Sequence, residues 1–256
     1  MRSPAFSGFL GAVQFLTRVP VRLSQPPDPA RSVPWFPVVG GLIGLVVGAV
    51  AAGSMELVPS PVAATLAIAT GLALTGAFHE DGLADFADAL GGWSREQRIQ
   101  ILQDSRHGSY GVAAMCTTIL LRVACVMSLG PAAALGGLVA AHALGRGAAV
   151  GVLGWAPRAH EAPDSSSGLG AEYSVSKRRA AAGVGAAVAI AAAATGWWVG
   201  PLAAAAAIGA VVTAALAIRA LGRIVGDVLG AIEQVGECLV LVVVSGLAAR
   251  HTLWWA

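Results

Sequence analysis

The chain has 256 residues, of which 56% are apolar and only 12% are charged, and its formal net charge is +2. Soluble globular domains carry about 25% charged residues, whereas the mean hydropathy of this chain is +0.73. These values exclude a disordered chain, a disulfide scaffold and a nucleic-acid-binding protein with a basic face. We therefore expect an integral membrane protein that has lipid as a partner and binds no nucleic acid.

Apolar segments along the chain predict an all-α fold, a polytopic helical membrane bundle of about seven spans. A helix of about 20 apolar residues crosses the hydrocarbon core of a bilayer. Seven segments approach this length, namely residues 36–53, 61–79, 109–129, 131–154, 180–200, 201–221 and 236–254. The shorter apolar run 5–16 predicts a short N-terminal interfacial helix. Because no linker interrupts the chain, we expect residues 1–256 to form a single integral-membrane domain.

The basic residues predict how the chain is oriented, because cytoplasmic segments of membrane proteins are enriched in Lys and Arg. With the N-terminus inside, most Lys and Arg residues lie in cytoplasmic segments, and only Arg250 lies outside. This predicts a multi-pass protein of the cell (inner) membrane with a cytoplasmic N-terminus and an external C-terminus. The longest polar stretch, residues 156–177, is then a cytoplasmic loop, which is either a lid over a substrate site or a plain connector.

An acidic segment follows the second predicted span, since six of the 14 acidic residues lie between Glu80 and Asp104. On a helix, Asp81, Asp85 and Asp88 share a stripe about 60° wide, where their like charges repel one another. Closely spaced carboxylates without His or Cys ligands favour Mg²⁺ or Mn²⁺ over Zn²⁺. The alternative is a solvated acidic face that binds no metal.

A polar segment before the third predicted span contains Asp104, Ser105, Arg106 and Gly108. Glycine, serine and an arginine at the start of a helix favour a phosphate-binding loop, because a helix N-terminus attracts anions. Two successive helix caps would produce a similar pattern, so this signal is weak when taken alone. Carboxylates for a divalent ion beside a basic phosphate-binding loop are the minimum equipment for phosphoryl transfer.

Charged residues within or beside the predicted spans form a third group. Asp227 stands between glycines in segment 226–231, which indicates a broken helix or a close backbone approach. Glu237 lies at the start of the last predicted span, where a carboxylate is costly unless it is paired. Arg122 and Arg146 lie inside spans and are candidate ion-pair partners or substrate contacts, with ion pairing the favoured role of Arg122.

Three motifs summarise these observations in chain order. They are His79-x-Asp81-Gly82-Leu83-Ala84-Asp85-x-x-Asp88, then Asp104-Ser105-Arg106-x-Gly108-x-x-Gly111, and then Gly226-Asp227-x-Leu229-Gly230-Ala231 followed by Glu237. Together they resemble the cobalamin synthase family, also called the adenosylcobinamide-GDP ribazoletransferase family. The resemblance extends from residue 14 to about residue 240, with Glu80, Gln103 and His107 as departures from the family pattern.

The resemblance implies a membrane-bound enzyme of a late step in vitamin B12 assembly. Such a transferase joins adenosylcobinamide-GDP to α-ribazole or α-ribazole 5′-phosphate, forms adenosylcobalamin or its phosphate, and releases GMP. The implied cofactor is Mg²⁺, which would bridge the diphosphate and stabilise the leaving GMP. The form of the acceptor used in the cell, and whether the protein forms a homo-oligomer, stay open.

The residues fit this chemistry in three roles. The predicted metal ligands are Asp81, Asp85, Asp88, Asp227 and Glu237. The predicted catalytic residues are Asp88, Asp104 and Arg106. Asp88 or Asp104 would accept the proton of the attacking ribazole hydroxyl, and Arg106 would clamp a phosphate oxygen. The predicted substrate-binding residues are His79, Ser105, Arg106, Gly108, Arg122 and Arg146.

Two other function classes compete with this interpretation. Ala77, Asp81 and Asp85, at four-residue spacing, match half of the signature of the lipid-making CDP-alcohol phosphotransferases, but the rest of that signature is absent. A cation or proton transporter would also hold carboxylates within its spans. Transporters place such acids near the bilayer midplane, often in two repeated halves, whereas these acids cluster at one end of one span. The phosphotransferase class is therefore the stronger alternative.

Overall fold

The computed structural model describes residues 4–23, 25–104, 106–155 and 175–255. Within these ranges the chain is built from helices and contains no β-strand, so the predicted all-α class is confirmed. Ser105 and residues 156–174 lie outside the described ranges. The predicted polar loop therefore falls almost wholly outside them.

The described ranges contain eleven α-helices. They are α1 (Pro4–Leu16), α2 (Pro29–Ser32), α3 (Phe36–Met55), α4 (Ser60–Thr75), α5 (Phe78–Leu90), α6 (Arg95–Leu102), α7 (Ser109–Met127), α8 (Pro131–Trp155), α9 (Lys177–Thr195), α10 (Val199–Leu221) and α11 (Gly226–Ala248). Several begin where the sequence supplies a start signal. A proline lies in the first turn of α3 and α4, where a missing N–H costs nothing. Ser94 and Ser176 cap α6 and α9 by accepting a backbone N–H.

Five segments of the described chain are long and apolar enough to cross a membrane, or six if α4 and α5 are counted as one bent span. The sequence predicts about seven. Predicted spans 180–200 and 201–221 fall in one apolar stretch of 45 residues, Lys177–Leu221. A 3-10 turn at Gly196–Trp198 divides that stretch into α9 and α10. The multi-pass architecture and the short N-terminal helix are as predicted.

The last span begins earlier than predicted, at Gly226 rather than at residue 236. The acidic side chains of Asp227, Glu233 and Glu237 lower the hydropathy of its first three turns, which hides the helix in the sequence. In the fold, Glu233 and Glu237 are buried against cationic partners. Pairing of this kind makes a carboxylate tolerable within a span.

The break between α4 and α5 turns the acidic segment by 89° away from the direction of α4. Gly76 ends α4 with φ +68° and Ala77 follows with φ 55°. The guanidinium of Arg18 packs where a Cβ on Gly76 would lie, so this turn needs glycine. The backbone N–H of Arg18 also donates to the carbonyl oxygen of Leu74 at 2.8 Å. The N-terminal segment therefore braces the bend.

α8 lies at the centre of the bundle and contacts α3, α9, α10 and α11. Gly40, Gly44 and Gly48 on α3 face its backbone, as their four-residue spacing predicts. A Cβ on Gly44 would lie 2.5 Å from the carbonyl oxygen of Leu138. A Cβ on Gly48 would lie 2.9 Å from Cα of Leu135. The two helices therefore approach at backbone distance.

α5 and α6 lie at the end of the bundle where α7 and α11 begin and α10 ends. A Cβ on Gly82 of α5 would lie 3.0 Å from the carbonyl oxygen of Asp227 at the start of α11. Arg98 of α6 donates from Nη1 to the carbonyl oxygen of Ala220 in α10 at 3.3 Å. This arrangement brings the polar segments of the three motifs to one end of the bundle.

Candidate active site

Asp81 and Asp85, one turn apart on α5, flank the imidazole of His107. Nε2 of His107 lies 3.3 Å from Oδ1 of Asp81, and Nδ1 lies 3.3 Å from Oδ1 of Asp85. The Asp81 side chain is 62% exposed and that of Asp85 is 18% exposed. The two carboxylates therefore share one solvent-accessible face between α5 and the loop before α7.

α11 adds a third carboxylate, Asp227, to this group. The close approach of α5 and α11 at Gly82 and Gly230 places Asp227 beside the acidic face of α5. The charges that act on Asp227 are those of Asp85 and Asp81, and both are negative. A half-buried carboxylate among like charges is unfavourable unless a cation joins it. Three acidic side chains from two of the motifs thus converge at one place.

This acidic group fits a divalent cation. Carboxylate oxygens are the hard ligands that Mg²⁺ prefers, and Mg²⁺ needs only one or two protein carboxylates beside water and substrate phosphate. His107, to which the sequence assigns no role, bridges Asp81 and Asp85 in the structure. Its position directly after Arg106 in the second motif is the one signal that could have placed it there. An imidazolium and a divalent ion would compete for the same two carboxylates.

Asp88 has a different environment from Asp81 and Asp85. The backbone N–H of Gly108 donates to its Oδ2 at 2.6 Å, and the N–H of Gly111 donates to its Oδ1 at 2.8 Å. A Cβ on either glycine would collide with the Asp88 carboxylate. Asp88 therefore caps the start of α7, where a negative charge is favourable. This contact uses one lone pair on each oxygen, and the roles of Asp88 as a metal ligand and proton acceptor stay predictions.

Asp104 and Arg106 pair with each other rather than with the acidic group. Nε and Nη2 of Arg106 donate to the two oxygens of Asp104 at 2.9 and 2.7 Å. These hydrogen bonds lower the pKa of Asp104 to about 2. The Arg106 side chain is 86% exposed. The predicted substrate contact at Ser105 lies outside the described residues, and Gly108 contributes the backbone N–H that Asp88 accepts.

A buried ionic network lies deeper in the bundle and contains Arg122. Its Nη2 donates to Oε1 of Glu80 at 2.9 Å, and its Nη1 donates to Oε2 of Glu237 at 3.2 Å. Arg146 donates to Oε1 of Glu237 at 2.8 Å, and the same oxygen contacts Nδ1 of His142. These contacts place Arg122 and Arg146 in ion pairs, and their role as substrate contacts stays a prediction. Ion pairing is the role that the sequence favours for Arg122.

Glu237 belongs to this network and not to the acidic group. It follows Asp227 by ten residues on α11, which corresponds to a rise of about 15 Å along the helix. One ion cannot be bound by both side chains, so the predicted metal role of Glu237 is corrected. Because α11 begins at Gly226, Asp227 lies in its first turn and Glu237 lies deep in the bundle.

Among the described residues, ligand atoms for a metal gather within 4.8 Å of one another at His142, Glu233 and Glu237, and not at Asp81, Asp85 and Asp227. The guanidinium of Arg146 occupies that place, with Nη1 at 2.5 Å from Oε1 of Glu233 and 2.8 Å from Oε1 of Glu237. A metal would have to displace a buried cation there. The group therefore fits a structural role, in which its ion pairs hold α8 against α11. Two pairs at helical i, i+4 spacing within apolar segments, His142 with Arg146 and Glu233 with Glu237, are the sequence signal for it.

The network also positions the acidic group. Glu80 precedes Asp81 on α5, and its pairing with Arg122 ties α5 to α7 and, through Glu237, to α11. His79 lies on the inner side of α5, buried, with Nδ1 3.8 Å from Oε2 of Glu233. Its side chain is thus directed away from Asp81 and Asp85, into the bundle.

Comparison with known proteins gives the family. The sequence profile of a family described as cobalamin-5-phosphate synthase matches residues 8–245. The chain belongs to the cobalamin-5-phosphate synthase family. The matched range contains the acidic group, the Asp104–Arg106 pair and the buried network. Membership makes the chain a transferase of cobalamin biosynthesis.

Relatives similar over nearly their whole length are named adenosylcobinamide-GDP ribazoletransferase. One from Azorhizobium caulinodans is 39% identical and aligns with 94% of this chain and 96% of its own length. One from Bradyrhizobium diazoefficiens is 38% identical over 91% of both chains. One from Herpetosiphon aurantiacus is 34% identical over 94% of this chain and 97% of its own. No solved structure matches this cobalamin-5-phosphate synthase family member.

Proposed function

We propose that the chain transfers the cobinamide phosphate of adenosylcobinamide-GDP to α-ribazole or α-ribazole 5′-phosphate and releases GMP. A ribazole hydroxyl oxygen forms a bond to the phosphorus next to the cobinamide, the bond from that phosphorus to GMP breaks, and the hydroxyl proton passes to water. The observation that carries the proposal is the convergence of Asp81, Asp85 and Asp227 at one end of the bundle. The names of the relatives supply the substrates.

Asp81, Asp85 and Asp227 are the residues that would hold the metal. Mg²⁺ bound there supplies positive charge to the diphosphate and to the leaving phosphate. The protein contributes rigidity, because the packing at Gly82 holds α5 against α11 and the capping of α7 by Asp88 holds α5 against α7. The carboxylates thus remain close despite their mutual repulsion.

Arg106 is the side chain placed to bind a phosphate oxygen of the diphosphate. Asp104 takes the Nε and Nη2 side of its guanidinium, which leaves the Nη1 side for an anion. A guanidinium held by a carboxylate presents its remaining donors in a fixed plane. Asp104 therefore acts as a positioning residue for Arg106.

We place the acidic end of the bundle on the cytoplasmic side of the cell (inner) membrane. Supporting this, most basic residues of the described chain lie at the end of the bundle where α6 and α9 begin and α10 ends, whereas Arg250 follows α11 at the other end. Cytoplasmic segments carry the excess of Lys and Arg in membrane proteins. The nucleotide substrate would then enter from the cytoplasm.

The test uses the purified full-length protein in detergent with adenosylcobinamide-GDP, α-ribazole and Mg²⁺, and follows GMP. We expect GMP release that stops with EDTA and returns with Mg²⁺. Asp81→Asn and Asp85→Asn each remove a ligand charge, so turnover should fall at least about 100-fold. Glu56→Gln, an exposed acid in the turn between α3 and α4, is the matched control and should keep full activity.

Full activity in either aspartate variant would show that the acidic group does not bind the metal. Absence of GMP release in the wild type, together with turnover of a CDP-alcohol, would assign the chain to the lipid-making phosphotransferases instead. Thermal unfolding of each variant in detergent separates loss of chemistry from loss of fold.

A further inference from the structure

An apolar cavity lies among α1, α3, α5, α8 and α11. It is lined mainly by apolar side chains with a few polar groups, as small-molecule sites usually are. The proposed chemistry at the acidic group does not use this cavity. Its aromatic wall and its polar residues determine the ligand that it fits.

Three aromatic rings line one wall of the cavity, those of Phe15, Phe36 and Phe78. The rings of Phe15 and Phe36 stack with centroids 5.3 Å apart and planes within 3°. Phe78 meets Phe15 edge to face at 5.2 Å. Aromatic faces and edges arranged in this way favour a planar aromatic ligand that continues the stack.

A polar side chain in the cavity wall carries a buried nitrogen without a hydrogen-bond partner. His79, only 6% exposed, lines the cavity, and its Nδ1 has no hydrogen-bond partner among the described residues. The nearest carboxylate, Glu233 in the same wall, is 3.8 Å away and beyond hydrogen-bond range. Buried polar atoms are nearly always hydrogen-bonded. An orphan ring nitrogen in a cavity wall therefore points to a ligand that supplies the bond.

The charges in the cavity wall select a neutral ligand. Arg146 also lines the cavity, but Glu233 and Glu237 neutralise its guanidinium. Its charge is thus not available for a phosphate. A neutral heterocycle with a ring nitrogen or polar edge satisfies both the aromatic wall and His79.

The cavity reaches the proposed reaction centre at the first turn of α11. Gly226 lines the cavity, and the next residue, Asp227, belongs to the acidic group. A ligand whose base lies in the cavity can therefore extend its sugar towards the carboxylates. The inner side of α5 and its acidic side would then contact different parts of one substrate.

We propose that this cavity binds the aromatic base of the acceptor nucleoside. The inference rests on the proposed function, in which α-ribazole, a benzimidazole nucleoside, is the acceptor. Phe15, Phe36 and Phe78 stack on the base, and His79 bonds to its edge. The sugar hydroxyl is directed towards the diphosphate at Asp227, and the corrinoid substrate stays outside the cavity.

Filling the cavity tests the proposal. Ala149 lines it on α8, and Ala149→Phe should raise the KM for α-ribazole at least tenfold while the KM for adenosylcobinamide-GDP changes less than twofold. Ala207→Phe adds the same side chain at an exposed position of α10 and should leave both values unchanged. Phe78→Leu removes one ring and should raise only the KM for α-ribazole, by about 2- to 12-fold.

The outcomes separate the two proposals. If the wild type releases GMP while Ala149→Phe and Phe78→Leu keep an unchanged KM for α-ribazole, the cavity assignment is overturned and the proposed function stands. Phe78→Leu keeps the test decisive if Ala149→Phe does not fold. Absence of GMP release in the wild type overturns the proposed function, and the cavity assignment with it. A selective rise in the α-ribazole KM supports both.

Discussion

At the scale of single residues, hydrogen bonding decides which chemistry each carboxylate can perform. Asp104 has a pKa near 2 because Arg106 donates to both of its oxygens. Because the pKa is lowered, the ion pair is intact above about pH 4 and weakens only as the pH falls towards 2. A general base works best with a pKa near the operating pH. Asp104 is therefore too weak a base to accept the ribazole proton in this arrangement.

We predict that Asp104→Asn changes substrate binding more than chemistry. The KM for adenosylcobinamide-GDP should rise because Arg106 loses its partner, while kcat falls less than tenfold. The shape of the pH profile of kcat between pH 6 and 9 should not change. Glu96→Gln, an exposed acid of α6, is the control. A loss of about 10²- to 10⁴-fold in kcat with a flattened pH profile would instead make Asp104 the general base.

At the scale of helices, glycines decide which elements meet. Gly44 places the backbone of α3 against that of α8, and Gly82 places α5 against α11. The first contact holds the centre of the bundle together, and the second positions the acidic group. Since the neighbouring atoms are backbone, an added side chain cannot be accommodated by rotating a flexible group.

We predict that Gly44→Ala destabilises the protein. Its Cβ would lie 2.5 Å from the carbonyl oxygen of Leu138 and 2.8 Å from Cα of Val139, and overpacking of this kind costs about 1–3 kcal/mol. Gly53, on the same helix, has nothing within 4 Å of the equivalent position. Gly53→Ala should be neutral or stabilising by up to about 1 kcal/mol. Thermal unfolding in detergent measures both, and equal Tm values would contradict the packing.

At the scale of the whole molecule, the buried network links the membrane-spanning part to the reaction centre. Arg122 and Arg146 join side chains of α5, α8 and α11 in the interior. Buried charges are costly unless each is paired, so the network favours one arrangement of these helices. The acidic end of α5 is thereby held in one position relative to α7 and α11.

We predict that the two ends of the bundle are accessible from opposite sides of the membrane. Gln100 on α6 and His251 after α11 are both exposed. In a background without Cys116, Cys125 and Cys238, Gln100→Cys should react with an impermeant maleimide only in inside-out vesicles. His251→Cys should react in intact cells. The reverse pattern would invert the orientation and place the nucleotide substrate outside.

The sequence alone determined the membrane class and the helical fold. These follow from local properties, because helix hydrogen bonds are internal to a segment and a span is recognised by its length and apolar composition. The i, i+4 spacing of Asp81 and Asp85 is also a property of a single helix. It therefore predicts correctly that they share a face.

Only the tertiary structure decided which charged residues meet. Asp88 shares the helical stripe of Asp81 and Asp85, yet it caps α7, because the start of that helix comes to its oxygens across 20 residues of chain. Glu237 follows the glycine motif of Asp227, yet it lies in the buried network three turns deeper. Helix crossings depend on contacts between residues far apart in the chain. The spacing of residues within one helix therefore does not predict where helices cross.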